Sequence, residues 1–318
     1  MKNHQVSVAD GGIGCRIELA ALSGLVRVLR RAEYRGLYAA ANLVAKAFPA
    51  QNTAVLSNGD RKFKIHLNDI FYTRLLDGFV YETEIEALLN QILTPDSTFI
   101  DCGANQGYWS IYAAQKINRA DHIVAIEATN MPFQRLQENL RLNGNSFTAI
   151  RKAVYSQTGV DLEFETHPLR HGSNSCVHHR GKPGEGGFQR EVVKSVTIDD
   201  VVASIPSSNG DVVVKIDVEG AEVEALKGAR NVMQRGGLFI YEEHGKDTTC
   251  ATTDFLVHEL TAQVYLLREG LEPMRVETVP QLASLHLNPG YGHNLLAAAP
   301  DSALLKRALA SQANAVRS

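Results

Sequence analysis

The apolar positions follow two different spacings, and the change between them divides the chain. From Ile17 to Phe48, residues Leu19, Leu22, Leu25, Val26, Leu29, Leu37, Leu43 and Val44 recur at helical intervals, weakened at Gly24 and Gly36. This predicts two or three short helices, preceded by a polar, glycine-containing segment over 1–14 expected to be poorly ordered. Phe63, Ile65 and Leu67 alternate with Lys62, Lys64 and His66, the pattern of a half-exposed strand. From Tyr81 the alternation becomes regular. Ile85, Leu88, Leu89 and Ile92 mark a helix that Pro95 ends, and strands are predicted over 98–101, 123–127, 160–164, 211–217 and 238–243, with a short one near Ala149. Helices are predicted over 108–117, 132–142 and 221–234.

Repeated strand-helix-strand units with apolar strands imply an α/β fold: a Rossmann-like, doubly wound and mainly parallel sheet covered by helices on both faces. The expected organisation is an N-terminal helical extension over 1–60, the main domain over 61–300 and a C-terminal helical tail over 301–318. The stretch from His167 to Arg190 is rich in Gly, His, Ser and Pro. A long irregular segment between core strands reads as a mobile cover over a substrate pocket.

Composition narrows the partners. Lysine and arginine total 32 against 35 acidic residues, a formal net charge of -3, so no general attraction to polyanions is expected and nucleic acid is not a predicted partner. The 4 cysteines are scattered without a CxxC pair, which suggests neither a disulfide framework nor a zinc site and fits a reducing cytoplasm. No apolar run approaches the roughly 20 residues of a membrane-spanning helix, and the N-terminus lacks the layout of a signal peptide. A soluble, cytoplasmic protein is expected. Arg27, Arg30, Arg31 and Arg35 form a basic patch, read first as a solvated helix face and alternatively as a contact for an anionic substrate or the periphery of a membrane.

The strongest local signal is Phe99-Ile100-Asp101-Cys102-Gly103-Ala104-Asn105-Gln106-Gly107-Tyr108-Trp109, where a strand meets a helix. In an open α/β sheet this is the ligand crevice at the carboxyl ends of the strands, and its glycines are expected to let a ligand approach the backbone. Glu127 ends the next strand, where a carboxylate can take both hydroxyls of a ribose. A dinucleotide fingerprint has a middle glycine that admits the pyrophosphate, but here that position is Asn105. Asp101 would repel a pyrophosphate and suits an ammonium group. S-adenosylmethionine carries a ribose and an ammonium, and no phosphate.

A second acidic cluster follows in Lys215-Ile216-Asp217-Val218-Glu219-Gly220-Ala221-Glu222. Glu219 and Glu222 fall at a helix start, where the helix dipole favours negative charge and explains Glu222 well. Asp217 falls at a strand tip on the same rim as Asp101 and Glu127, where a substrate hydroxyl would be held. The strand Leu238-Phe239-Ile240-Tyr241 then brings Glu242, Glu243 and His244 to that rim.

These residues resemble the FkbM family of methyltransferases. The matching pieces are Tyr81-Glu82, the loop from Asp101 to Gly107, Glu127 with Asn139 and Asn143, Thr197-Ile198-Asp199-Asp200, the block from Lys215 to Glu222, Leu226-Lys227-Gly228-Ala229, and Glu242-Glu243. The resemblance spans about 79–245 and departs at Cys102, where Val or Ile is common, and at Ala128-Thr129, where a Pro usually follows the acid. It implies S-adenosylmethionine as methyl donor and a hydroxyl acceptor on a sugar, glycan or secondary metabolite. Asp101, Gly103, Asn105, Gly107 and Glu127, with Glu82 and Ala153, would hold the cofactor. Asp217 and Glu219 would face the active site.

Methyl transfer is an in-line displacement, so positioning supplies much of the rate, and a general base helps a weakly nucleophilic alcohol. Asp217, Glu219, Glu243 and His244 are the catalytic candidates. Mg²⁺ on Asp217, Glu242 and Glu243 is the less favoured alternative. Two rival readings stand beside this one: an NAD-dependent oxidoreductase, disfavoured by Asn105 and Asp101, and a catalytically idle cofactor-binding module.

Overall fold

A computed structural model describes residues 4–10, 12–29, 37–48, 52–67, 69, 75–76, 81–166, 175–176, 189–206, 210–244, 249–285 and 292–317. The N-terminal part holds strand β1 (His4–Asp10), helices α1 (Ile13–Leu29) and α2 (Leu37–Ala45), and strands β2 (Thr53–Asn58) and β3 (Arg61–His66). The three strands form an antiparallel sheet in the order β1-β2-β3. The segment expected to be poorly ordered therefore contains a paired strand, with Val6 opposite Leu56 and Val8 opposite Ala54. Its Gln5-Val6-Ser7-Val8 alternation is a strand pattern too short to stand out before its partner was known. The extension is thus not purely helical. Gly59, at φ 62°, turns the β2–β3 hairpin across residue 60.

The remainder runs α3 (Thr83–Ile92), β4 (Thr98–Cys102), α4 (Tyr108–Ala113), β5 (Ile123–Ile126), α5 (Asn130–Leu142), β6 (Thr148–Ile150), β7 (Ala153–Val154), β8 (Asp161–Thr166), β9 (Ser175–Cys176), β10 (Gln189–Val196) and α6 (Ile198–Ala203). It continues with β11 (Val212–Ile216), α7 (Glu222–Lys227), α8 (Arg230–Gln234), β12 (Leu238–His244), α9 (Ala251–His258), β13 (Gln263–Leu266), β14 (Met274–Val276), α10 (Val279–Ser284), β15 (Gly292–Ala298) and α11 (Ala303–Arg317).

Eight strands make the main sheet, in the order β14-β13-β15-β12-β11-β4-β5-β6. The five from β12 to β6 pair in parallel, while β15 lies antiparallel between β12 and β13. From β6 to β12 the order matches the opening 3-2-1-4-5 of a dinucleotide-binding sheet, and the wedged β15 then departs from it. The strand order reverses between β4 and β11, which opens a crevice at their carboxyl ends. Both strands are buried along their whole length, as helices on both faces require. Phe99, Val213 and Ile240 pack toward one face, and Ile100, Val214 and Tyr241 toward the other.

The single helix expected over 221–234 is two helices broken at Gly228–Ala229. The backbone leaves helical values at Ala229, with φ -127° and ψ 17°, and a β-carbon on Gly228 would lie 2.5 Å from the carbonyl oxygen of Tyr155, so only glycine fits there. The tail helix α11 buries Leu304, Leu305 and Ala308, and Arg307 Nη2 reaches Asp211 Oδ2 at 2.6 Å. The cover expected over His167 to Arg190 lies mostly outside the described residues. Only β9 and the start of β10 are described, in a second sheet of order β7-β10-β8-β9.

The N-terminal sheet is tied to the main domain through α5. The Asn139 side chain accepts from Lys64 N at 2.7 Å and donates to Gln106 O at 3.0 Å. Asn143 accepts from Lys62 N at 2.8 Å and donates to Lys62 O at 2.6 Å. Below them Asp69 Oδ2 accepts from Gln106 Nε2 at 2.7 Å and from Arg135 Nη1 at 2.5 Å, all three residues being buried.

Candidate active site

The loop after β4 is fixed by its neighbours on both sides. Gly103 N and Ala104 N both donate to Ile126 O at 2.9 Å, and Asp217 N donates to Cys102 O at 3.0 Å. Gly103 has φ 76°, and a β-carbon there would stand 1.8 Å from Asp217 O. Gly107 has φ 86°, and its β-carbon would stand 2.4 Å from Leu136 Cδ1. Both glycines thus serve close packing of the protein against itself, where the sequence had suggested close approach of a ligand. Asn105, at φ 50°, adopts the left-handed turn between them. Its amide donates to Glu127 Oε2 at 3.0 Å, while Glu127 Oε1 accepts from Thr129 N at 2.8 Å and Thr129 Oγ1 at 2.7 Å. Glu127 thereby locks the loop to the tip of β5. Asn105 Oδ1 is buried, with no hydrogen-bond partner among the described residues.

One cleft gathers Asp101, Gly103, Asn105, Glu127, Ala153, Asp217 and Glu219, residues from four separate stretches of sequence. Tyr81, Tyr108 and Trp109 add an aromatic wall, with Tyr108 edge-on to Tyr81 at 5.3 Å and to Trp109 at 5.0 Å. Glu82 takes a left-handed conformation at φ 47°, and its carboxylate accepts from Trp109 Nε1 at 3.0 Å and Asn294 Nδ2 at 3.2 Å.

Lys215 is the electrostatic centre. It lies beside Asp101 in the β4–β11 ladder, its side chain only 5% exposed, and its Nζ donates to Asp217 Oδ2 at 2.9 Å. Burial works against the ammonium charge, but Asp217, Glu82 and Asp101 more than offset it and push the lysine pKa up. Burial raises the carboxyl groups of Glu82, Asp101 and Glu127, with Lys215 pulling the first two back. Glu219, in a left-handed turn at φ 51°, is raised to about 8 by burial and then by the Asp217 charge. Glu242 is raised to about 9 by the same two causes in the same order.

Adjacent residues on β12 point to opposite faces of the sheet. Glu242 feels the charges of Asp217, Glu82 and Glu219, and its carboxylate fills the space that a side chain on Gly292 would need. Glu243 points the other way. It is 3% exposed, and its Oε1 accepts from Thr253 N at 2.7 Å and Thr253 Oγ1 at 2.8 Å, holding the first turn of α9. The structure does not bring Glu243 into the cleft with Asp217 and Glu219. Nor do Asp217, Glu242 and Glu243 assemble as metal ligands, since Glu242 and Glu243 diverge, and among the described residues no group of three His, Cys, Asp or Glu is placed to hold a metal ion. The backbone of His244 ends β12; its side chain lies outside the described residues. Lys215, Tyr81 and Trp109 stand in the sequence motifs without an assigned role, and Asn294 stands outside them. Lys215 had a visible signal, a lysine inside the apolar run Val212-Val213-Val214-Lys215-Ile216, because a buried lysine needs a carboxylate partner.

Residues 101–267 match the methyltransferase FkbM domain. The chain belongs to the FkbM methyltransferase family. Hexuronic acid methyltransferase AglP of Haloferax volcanii is 30% identical over 189 residues, which are 58% of this chain and 71% of that protein. Methyltransferase sdnD of Sordaria araneosa is 30% identical over 163 residues, 42% of this chain and 61% of the fungal protein. Precorrin-6y C5,15-methyltransferase from Geobacter metallireducens has a similar solved structure at 16% identity and TM-score 0.38, covering 69% of this chain and 87% of that one. Membership of a methyltransferase family displaces the reading as an NAD-dependent oxidoreductase. Among the described residues no helix is long and apolar enough to cross a membrane.

Proposed function

We propose that this FkbM-family chain is an S-adenosylmethionine-dependent methyltransferase that methylates a hydroxyl oxygen of a sugar or glycan. The supporting observation is a cofactor-side cleft rich in hydrogen-bond acceptors. Asp101 and Glu127 meet there at the strand tips, with Asn105 beside them. S-adenosylmethionine presents matching donors, its ribose hydroxyls and its ammonium, and it has no phosphate for these carboxylates to repel. In this reading Glu127 takes the ribose, Asp101 and Glu82 face the ammonium, and Tyr81, Trp109 and Ala153 close the pocket around the rest. When bound, the cofactor supplies a methyl group activated by its sulfonium.

The acceptor side is assigned to Asp217 and Glu219. Lys215 holds the Asp217 carboxylate by an ion pair of 2.9 Å, in place to orient an acceptor hydroxyl and take its proton. Glu219, raised to about 8, keeps its proton at neutral pH and offers a donor to the sugar. The sugar class rests on the hexuronic acid named for AglP.

Melting the purified protein with S-adenosylmethionine, S-adenosylhomocysteine or NAD separates the cofactor readings. A ligand at about 100 times its Kd adds roughly 2.7 kcal/mol of stability. Stabilisation by NAD alone would overturn the cofactor assignment. Glu127→Ala should weaken S-adenosylmethionine binding by roughly tenfold to a hundredfold, the worth of a charge-assisted hydrogen bond; unchanged affinity in calorimetry removes Glu127 from the site. Incubation with a panel of neutral sugars, hexuronates and oligosaccharides should yield a methyl ether and S-adenosylhomocysteine in equal amounts. Cofactor binding without turnover on any of them would favour the idle module.

A further inference from the structure

Helix α1 is apolar on two opposite faces. Its inner face buries Cys15, Leu22 and Val26 and is anchored to β2 and the residue before it, Cys15 Sγ meeting Thr53 O at 3.5 Å and Glu18 accepting from Asn52 Nδ2 at 2.6 Å. On the outer face Ile13 is 79%, Ile17 54% and Val28 73% exposed, and at about 100° per residue these three fall on one narrow arc with Ala21 and Gly24. Leu43 on α2 is a further exposed apolar residue at 71%. Scattered exposed apolar residues are ordinary on a protein surface, but a continuous stripe along one helix marks a face that something covers.

The charge around the stripe indicates what covers it. Arg16 and Arg27 are exposed at its border, and the only acid of α1, Glu18, is buried on the opposite side. The sequence continues with Arg30, Arg31 and Arg35 against the single acid Glu33, in a chain whose net charge is -3. A second copy seated on the same face would bring Arg16 and Arg27 against like charges. An anionic phospholipid surface would complement them. With 17 residues α1 is long enough to lie along such a surface, and it is not a membrane-crossing helix.

We propose that α1 seats the protein on an anionic phospholipid bilayer, with Ile13, Ile17 and Val28 entering the headgroup boundary and Arg16 and Arg27 meeting lipid phosphates. The test is flotation of the full chain with vesicles of phosphatidylcholine alone or of phosphatidylcholine with phosphatidylglycerol. The wild type should float with the anionic vesicles, leave them at high salt, and stay behind with the neutral ones. Ile17→Glu with Val28→Glu should lower the bound fraction at least about tenfold, and Arg16→Glu with Arg27→Glu by a similar factor. Circular dichroism and melting should be unchanged, because all four side chains are exposed. No flotation with anionic vesicles overturns the proposal. So does a dimer in analytical ultracentrifugation that Ile17→Glu dissociates, which would assign the face to a second copy.

Discussion

The carbonyl oxygen of Asp217 stands 1.8 Å from the point where a β-carbon on Gly103 would lie, so the loop after β4 and the tip of β11 touch through a residue without a side chain. This contact joins the proposed cofactor half of the cleft to the proposed acceptor half. Gly103→Ala must move one of them, and it also forces an alanine to φ 76°. The strained backbone alone costs about 1–3 kcal/mol. The variant should melt lower and lose S-adenosylmethionine affinity together; a variant with wild-type affinity would show that the two halves are not coupled through this contact.

Asp217→Asn should reduce turnover by roughly 10²-fold to 10⁴-fold, the range for loss of a general base, while cofactor affinity changes little. The Asp217 carboxylate pairs with Lys215 and does not cap the following helix, whose N-cap Ala221 makes no side-chain bond. Single-turnover rates with saturating cofactor give the answer. A rate near wild type would take the proton-accepting role away from Asp217.

Glu243→Ala should affect stability and not chemistry. The buried Thr253 N–H and hydroxyl would lose their acceptor, a cost of about 1–3 kcal/mol. Denaturant unfolding should show that loss while turnover per folded molecule stays at the wild-type level. A tenfold fall in turnover with the fold intact would return Glu243 to the catalytic set.

Stability should fall as pH rises from about 4.5 to about 9. Glu219 is raised to about 8 and Glu242 to about 9, so across this window the folded chain holds protons that the unfolded chain, with carboxyls near 4.5, has released. Fewer protons on the unfolded state means that unfolding becomes easier with rising pH. Melting curves should drop across the window, and Glu219→Gln with Glu242→Gln should flatten the drop. An equal slope in the double variant would mean that other groups carry it.

The alternation of apolar strands and helices made the parallel half of the sheet readable, because each of β4, β5, β11 and β12 is a local run of buried residues. The insertion of β15 between β12 and β13 was not readable: strand order is set by packing between residues far apart in sequence. Residues of the candidate cleft were legible where a charge ended a strand, as at Asp101, Glu127 and Asp217. Facing was harder to read at Glu242 and Glu243, where one residue of register decides which side of the sheet a carboxylate occupies. Tyr81 and Trp109 stand in motifs the sequence shows, but nothing in their spacing announces that they wall the cleft, and Asn294 reaches Glu82 from a strand far along the chain.

The amides of Asn139 and Asn143 meet the backbone of Lys62 and Lys64 along β3, one of the two outer strands of its sheet. An outer strand with free N–H and C=O groups is a template on which another chain can add a strand and begin to aggregate. Two side chains from a helix take that place here, each presenting a donor and an acceptor as a peptide group would. Replacing them would cost the hairpin its anchor and also uncover a sticky edge, so Asn139→Leu with Asn143→Leu is a substitution whose main symptom should be precipitation.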